Sequence, residues 1–181
     1  MKMQLNKKRG FTLIEILIVV AIIGVLASIV LVGLGPAQRQ GRDARRLSDM
    51  KQMQTALELY FQKCGFYPGF VRVVFGSSPC AGVAIANGTA AGWTALQTEL
   101  NAAGLGFSGQ IPNDPIAARS YSYGSNGGTG LPDSGTRYIL GAVLEGSSPA
   151  VNNDIDGSGV ITFGVECGPF TGADQYYCTG N

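Results

Sequence analysis

The sequence contains no histidine in its 181 residues, and only 14% of the residues are charged. Without histidine, neither a Ser–His nor a Cys–His pair is available to activate a nucleophile. The four cysteines include no CxxC spacing, so they lack the pattern of a zinc site. A glycine-rich phosphate loop ending in Lys-Ser or Lys-Thr is also missing. These absences argue against an enzyme, and no cofactor is required by the sequence.

One long apolar run extends from Phe11 to Leu34 and contains a single charged residue, Glu15. About 20 apolar residues span a bilayer, so the run is long enough for a transmembrane helix. A charge within such a helix costs about 2.5 to 3.5 kcal/mol on insertion scales, so Glu15 indicates a use for a buried negative charge. An ordinary secretory signal is not favoured because its cleavage site follows the apolar core. The length of the run alone is equally compatible with a plain single-pass membrane anchor.

A more specific motif lies at the start of this run, where residues 7–15 read KKRGFTLIE. This motif resembles the class III signal of type IV pilins and of the pseudopilins of type II secretion. The resemblance implies that a prepilin peptidase cuts between Gly10 and Phe11 and methylates the new amino group of Phe11. It also implies that Glu15 pairs with the N-terminal ammonium of a neighbouring subunit. Removing one partner of a buried ion pair typically costs about 3 to 5 kcal/mol.

The same resemblance implies a function, a location and partners. The leading hypothesis is a structural subunit of a type IV pilus-like filament, with the major pseudopilin of type II secretion as the alternative. A monomeric, membrane-anchored binding protein is a second alternative. The expected partners are further copies of the chain, the prepilin peptidase, and an inner-membrane assembly platform with its ATPase. The chain would cross the cytoplasmic membrane once with its head outside, and then enter a cell-surface pilus or a periplasmic pseudopilus.

Four arginines follow the apolar run within residues 39–46. They lack interleaved aromatic residues and border a membrane segment, so direct nucleic-acid binding is not expected. Contact with lipid headgroups, or pairing with acidic residues of an adjacent subunit, is favoured instead.

The expected architecture is α+β, with a long N-terminal helix packed on a small antiparallel sheet. Residues 1–10 would form the leader, 11–35 the transmembrane or filament-core helix, 36–63 an amphipathic helix, and 64–181 the globular head. The amphipathic part carries small or apolar residues three, four or seven positions apart, at Ala37, Ala44, Leu47, Met50, Met53, Leu57 and Tyr60.

Breaks in the helix and the elements of the head are also predicted. Gly33, Gly35 and Pro36 predict a kink or a locally unwound stretch in the long helix. A short second helix is predicted around Trp93, Leu96 and Leu100 before Gly104. Strand-like runs at 120–125, 137–145 and 160–166 predict an antiparallel sheet of three or four strands laid across the upper helix, and a short strand is considered at 70–75.

The cysteines form an even set in a chain expected outside the cytoplasm, so two disulfides are predicted. Four cysteines allow three pairings. The local pairings, Cys64 with Cys80 and Cys167 with Cys178, are preferred because they would close the loop after the long helix and the Gly- and Pro-containing tail.

A partial calcium motif lies late in the chain. Asn152, Asp154, Asp156 and Gly157 match the first half of a calcium loop, but Phe163 occupies the position of the bidentate glutamate. Major pseudopilins that resemble this chain hold calcium in a late loop. A calcium site at Asp154 and Asp156 therefore stays open beside the preferred interpretation, a turn between strands.

Overall fold

The computed structural model describes residues 10–69, 80, 85–105, 111–126, 135–146, 148–150, 161–167 and 175–180. The chain divides into two compact units, Met1–Gln38 and Arg39–Asn181. Both the class of the fold and the small antiparallel sheet agree with the α+β, pilin-like architecture expected from the sequence.

Helix α1 extends over Leu13–Cys64. Its backbone is helical through Gly33, Gly35 and Pro36, so the unwound stretch predicted there is not a feature of this structure. Gly65 ends the helix with a positive φ of 76°, and its N–H donates to the Phe61 carbonyl oxygen at 2.7 Å. Glycine suits this position because it adopts the left-handed conformation without a steric penalty.

The part of α1 in the second unit contributes one side of the head's core. Met50, Met53, Leu57 and Tyr60 are completely buried there, at the three- and four-residue spacing of one helix face. These side chains share a hydrophobic cluster with residues of the sheet and of the second helix. The amphipathic stripe predicted from the sequence is thus the contact face of the helix from Leu47 to Tyr60, whereas Ala37 and Ala44 at its start are exposed.

Helix α2 covers Ala90–Ala102 and buries Trp93, Leu96 and Leu100, as their spacing predicted. Thr89 caps its start, because the Thr89 hydroxyl accepts a hydrogen bond from the Gly92 N–H at 3.0 Å.

Five strands complete the described head: β1 (Ser122–Ser125), β2 (Tyr138–Leu144), β3 (Ile161–Thr162), β4 (Val165–Glu166) and β5 (Gln175–Gly180). Strands β1, β2 and β5 form an antiparallel sheet with β2 in the centre, and β3 pairs with β4 as a separate two-stranded sheet. The three predicted strand regions contain β1 to β4. The sequence analysis missed β5, which it assigned to the tail, and its suggestion of a strand at 70–75 lies outside the described residues.

Two disulfides are present. Cys64 at the end of α1 is bonded to Cys80, and Cys167 after β4 is bonded to Cys178 in β5. These are the two local pairings preferred from the sequence. The second bond joins the small β3–β4 sheet to the edge strand of the larger one.

The packing of α1 predicts contrasting effects for two nearby leucines. Leu57 is 0% exposed, whereas Leu59 is 46% exposed. We expect Leu57→Ala to lower the free energy of unfolding by about 2 to 5 kcal/mol, because it leaves a cavity in the core. Leu59→Ala should lower it by less than about 1 kcal/mol. Urea unfolding of the full chain in detergent, followed by Trp93 fluorescence, measures both; equal losses would contradict the assigned core face.

Candidate functional site

The first turn of α1 brings Thr12 and Glu15 together. The Thr12 N–H and the Thr12 hydroxyl both donate to Glu15 Oε2, at 2.9 and 2.6 Å, and the Glu15 N–H approaches Thr12 Oγ1 at 3.4 Å. This reciprocal pattern is a capping box, in which the residue before the helix and the third helical residue satisfy each other's free backbone N–H groups. Glu15 therefore has a local partner within its own chain.

Sequence reasoning singled out Glu15 but missed Thr12. The signal was available, since Thr-x-x-Glu before an apolar run is the pattern of a capping box. A carboxylate at a helix N-terminus is also favoured by the helix dipole. The cost of placing Glu15 in an apolar environment is thus partly offset inside a single subunit.

Gly10 and Phe11 precede the helix in non-helical backbone. The Phe11 side chain is 83% exposed, and a Cβ added at Gly10 would meet no other atom within 4 Å. Packing within the described structure therefore gives no reason for glycine at position 10. No described residue packs against the bond between the two residues.

The helix beyond this turn presents an uncovered apolar surface. Leu13–Val30 is long and apolar enough to cross a membrane, and it has no buried residues. Large side chains point outward all around it, including Ile14, Leu17, Val20, Ile23, Leu26 and Ile29. A contiguous apolar surface of this size is covered by lipid or by other apolar helices.

A second cluster of charged groups lies in the head and centres on Arg46, whose side chain is 0% exposed. Arg46 makes a bidentate contact with Asp114, at 2.7 and 2.9 Å, and its Nη1 also donates to Asp43 and Glu145. Arg42 makes a second bidentate contact with Glu145. Two cations thus meet three carboxylates.

Backbone groups complete this cluster. Asp43 accepts hydrogen bonds from the N–H groups of Glu145 and Gly146, and Asp114 accepts one from Ile116. Hydrogen bonding from Arg42 lowers the pKa of Glu145 to about 2, against the opposing effect of burial and with a further contribution from Arg46. Every charged group in the cluster has partners. The cluster therefore connects α1 to the end of β2 and to the loop at Asp114.

The predicted calcium ligands Asp154 and Asp156 lie outside the described residues. Within the described part of the chain, no group of three or more His, Cys, Asp or Glu side chains is arranged to hold a metal ion.

The capping box predicts that the first turn frays without Thr12. We expect Thr12→Ala to weaken the helix start by about 0.5 to 2 kcal/mol, and Thr12→Ser to retain the cap, because serine keeps the hydroxyl. Amide hydrogen exchange of residues 13–16 in detergent micelles, measured by NMR, should accelerate only in Thr12→Ala. Equal exchange in the two variants would contradict the cap.

The ionic cluster predicts a loss of stability in acid. Because the folded pKa of Glu145 lies below its ordinary value, its ionised form contributes stability at neutral pH, and that contribution disappears as the pH falls from about 4.5 to about 2. Glu145→Gln should therefore destabilise the protein at pH 7 and show a smaller further loss at pH 3. Urea unfolding at both pH values measures this difference, and identical acid sensitivity in the variant would refute it.

Comparison with known proteins identifies a family motif in the N-terminal segment. The family described as "Prokaryotic N-terminal methylation motif" matches residues 5–31. Over 63 residues, which are 35% of this chain and 43% of the relative, the chain is 40% identical to type II secretion system core protein G of Escherichia coli. Over 68 residues, 38% of this chain and 31% of the relative, it is 35% identical to type IV major pilin protein PilA of Myxococcus xanthus.

A third relative, type II secretion system core protein G of Vibrio cholerae, is 32% identical over 65 residues, 36% of this chain and 44% of the relative. The chain spans less than half the length of each of these curated relatives. No solved structure matches. The matches confirm the resemblance read from residues 7–15: this chain carries the prokaryotic N-terminal methylation motif, and somewhat more than a third of it is similar to type II secretion core protein G and to type IV pilin PilA.

Proposed function

We propose that this chain is the structural subunit of a type IV pilus-like filament, held together by its N-terminal helix. The observation that carries this proposal is the combination found in the first unit. An apolar helix without any covering partner in the described structure begins with the methylation motif and holds a carboxylate in its first turn. Such a surface requires either a bilayer or a bundle of similar helices.

Processing comes first. The prepilin peptidase would cut between Gly10 and Phe11, where the backbone is not helical and the Phe11 side chain is exposed. The products are the leader, residues 1–10, and a chain with a free amino group on Phe11, which is then methylated. Before the cut the chain is a single-pass protein of the cytoplasmic membrane with its head outside.

Assembly then moves the helix of residues 11–35 from lipid into a bundle of the same helices. Lipid tails and aliphatic side chains are similarly apolar, so packing and polar contacts, rather than the hydrophobic effect, decide this exchange. In the filament Glu15 would pair with the Phe11 ammonium of a neighbouring copy. That contact joins different surfaces of two copies, which is the requirement for an open helical polymer.

The helix of residues 36–63 and the head of residues 64–181 would then form the filament's outer layer. Drawing subunits out of the membrane requires an inner-membrane assembly platform and an ATPase. The apolar helix contributes the polymer contacts, while the head contributes the surface that other molecules meet.

The second candidate is the major pseudopilin of a type II secretion system, and the names of the relatives favour it. The proteins of Escherichia coli and Pectobacterium carotovorum with 40% and 37% identity are both called type II secretion system core protein G. Both candidates share the processing and the filament, and they differ in where the filament ends. Long surface fibres support the pilus, whereas short fibres that appear only on overexpression support the pseudopilus.

Replacing Glu15 tests the shared part of both candidates. We expect Glu15→Gln to reduce fibres, counted by electron microscopy of sheared material, at least about ten-fold, because it removes a buried ion pair worth a few kcal/mol. Glu58→Gln is the matched control: Glu58 is exposed on the same helix in the head, and glutamine keeps the oxygen that accepts from Tyr67.

Mass spectrometry of the N-terminal peptide completes this test. A subunit that begins at methylated Phe11 is the expected result. A chain that keeps its leader, together with unaffected behaviour of Glu15→Gln, would instead identify a monomeric membrane-anchored protein.

A further inference from the structure

The four arginines of residues 39–46 do not share one environment. Arg42 and Arg46 donate to carboxylates of the ionic cluster, whereas the Arg45 side chain is 63% exposed. The ion pair of Arg45 with Asp49 is long, at 3.9 Å between Nε and Oδ2, and that oxygen already accepts the Tyr121 hydroxyl at 2.7 Å. Most donors of the Arg45 guanidinium thus have no partner within the described residues.

Arg45 lines a groove of about 380 Å³ in the head. Arg45 and Gln52, seven residues apart on one side of α1, form one wall, and the loop of residues 111–115 forms the other. Pro112 and Pro115 restrict the loop's backbone, so the groove is largely formed before anything binds.

The polar groups of the groove favour a negatively charged ligand. Both oxygens of the Asp114 carboxylate already accept hydrogen bonds, from Arg46 and from the Ile116 N–H. The Asn113 side-chain oxygen accepts from Gln97, which leaves the Asn113 amide N–H₂ as a donor. The groove therefore offers the Arg45 guanidinium and the Asn113 amide group as donors, which suits the two oxygens of a carboxylate.

We propose that this groove binds a carboxylate side chain of a second copy of the chain when subunits pack in the filament; the proposal rests on the proposed function. Charge complementarity supports this partner. Residues 146–181 contain four acidic residues and no lysine or arginine. Among the described residues of one copy, Asp49 forms the long ion pair with Arg45 and also accepts from Tyr121, while Asp114 faces Arg46. The exposed donors of the Arg45 guanidinium are thus open to a carboxylate of another molecule.

This contact can repeat from one copy to the next, as a helical polymer requires. The groove and the acid that fills it are different surfaces, so each copy offers both a donor and an acceptor site. The contact lies in the head and is separate from the helix pairing at Glu15. It adds a solvent-exposed, salt-sensitive interaction to the contacts made by the apolar helices and by Glu15.

Charge reversal at Arg45 tests the proposal in cells that express the full chain and its assembly machinery. Arg45→Glu should lower the yield of sheared fibres by about five-fold or more, because two negative groups then face each other. Lys51→Glu is the matched control: Lys51 is exposed on the same helix, does not line the groove, and its replacement changes the net charge equally. Its fibre yield should stay within about two-fold of wild type. Arg45→Lys should give an intermediate yield, because lysine keeps the charge but not the bidentate fork.

Further measurements separate loss of the groove contact from misfolding and from lipid binding. Arg45→Gln removes the charge without placing a second carboxylate beside Asp49, so it serves as the control for folding. Its processed subunit in the membrane fraction and its urea midpoint in detergent should stay close to wild type, while its fibre yield falls. Equal yields in Arg45→Glu and Lys51→Glu would overturn the groove contact while leaving the filament intact. Normal fibres combined with lost binding to vesicles of anionic phospholipid would show a headgroup site and would also overturn it. A wild-type chain that forms no fibres would instead count against the proposed function.

Discussion

Helix α1 has to fit two environments, an apolar one along its first part and the core of the head along its second part. The organisation of the molecule follows from this requirement. In the first unit α1 is apolar and uncovered around its whole circumference, whereas in the second unit it offers one buried face to the head. Removing α1 from the head would expose Met50, Met53, Leu57 and Tyr60 together. The head therefore has no complete core without the part of α1 that follows Gln38, so a fragment containing the head has to keep this part of the helix.

The charged groups of the head strengthen the same connection. A buried arginine is costly unless it is fully paired, and Arg46 meets Asp43, Asp114 and Glu145 in one network. Because these acids come from α1 itself, from a loop and from the end of β2, the network specifies how three parts of the chain meet. The apolar face of α1 supplies most of the buried surface, while the ionic cluster favours one packing of α1 against β2 and the loop at Asp114.

The first turn of α1 shows how a charge is kept in an apolar segment. Glu15 is held by Thr12 and by the N-terminus of its own helix, so the carboxylate is not isolated before a neighbour arrives. A partner with a positive charge can then compete for an oxygen that is already positioned. The proposed pairing with Phe11 of another copy would exchange these local hydrogen bonds for an ion pair.

Features that depend on neighbouring residues were readable from the sequence, and features that depend on distant ones were not. The methylation motif, the apolar run, the stripe ending at Tyr60 and the two local disulfides all involve short separations, where helix period and spacing carry the information. The capping box was equally local and could have been found from Thr12 and Glu15. By contrast, the arginines looked alike in sequence, because their acids lie 68 and 103 residues away, at Asp114 and Glu145. Strand β5 was missed for the same reason: its six residues are a strand because they pair with β2, more than 30 residues earlier in the chain, and only the folded structure decides that pairing.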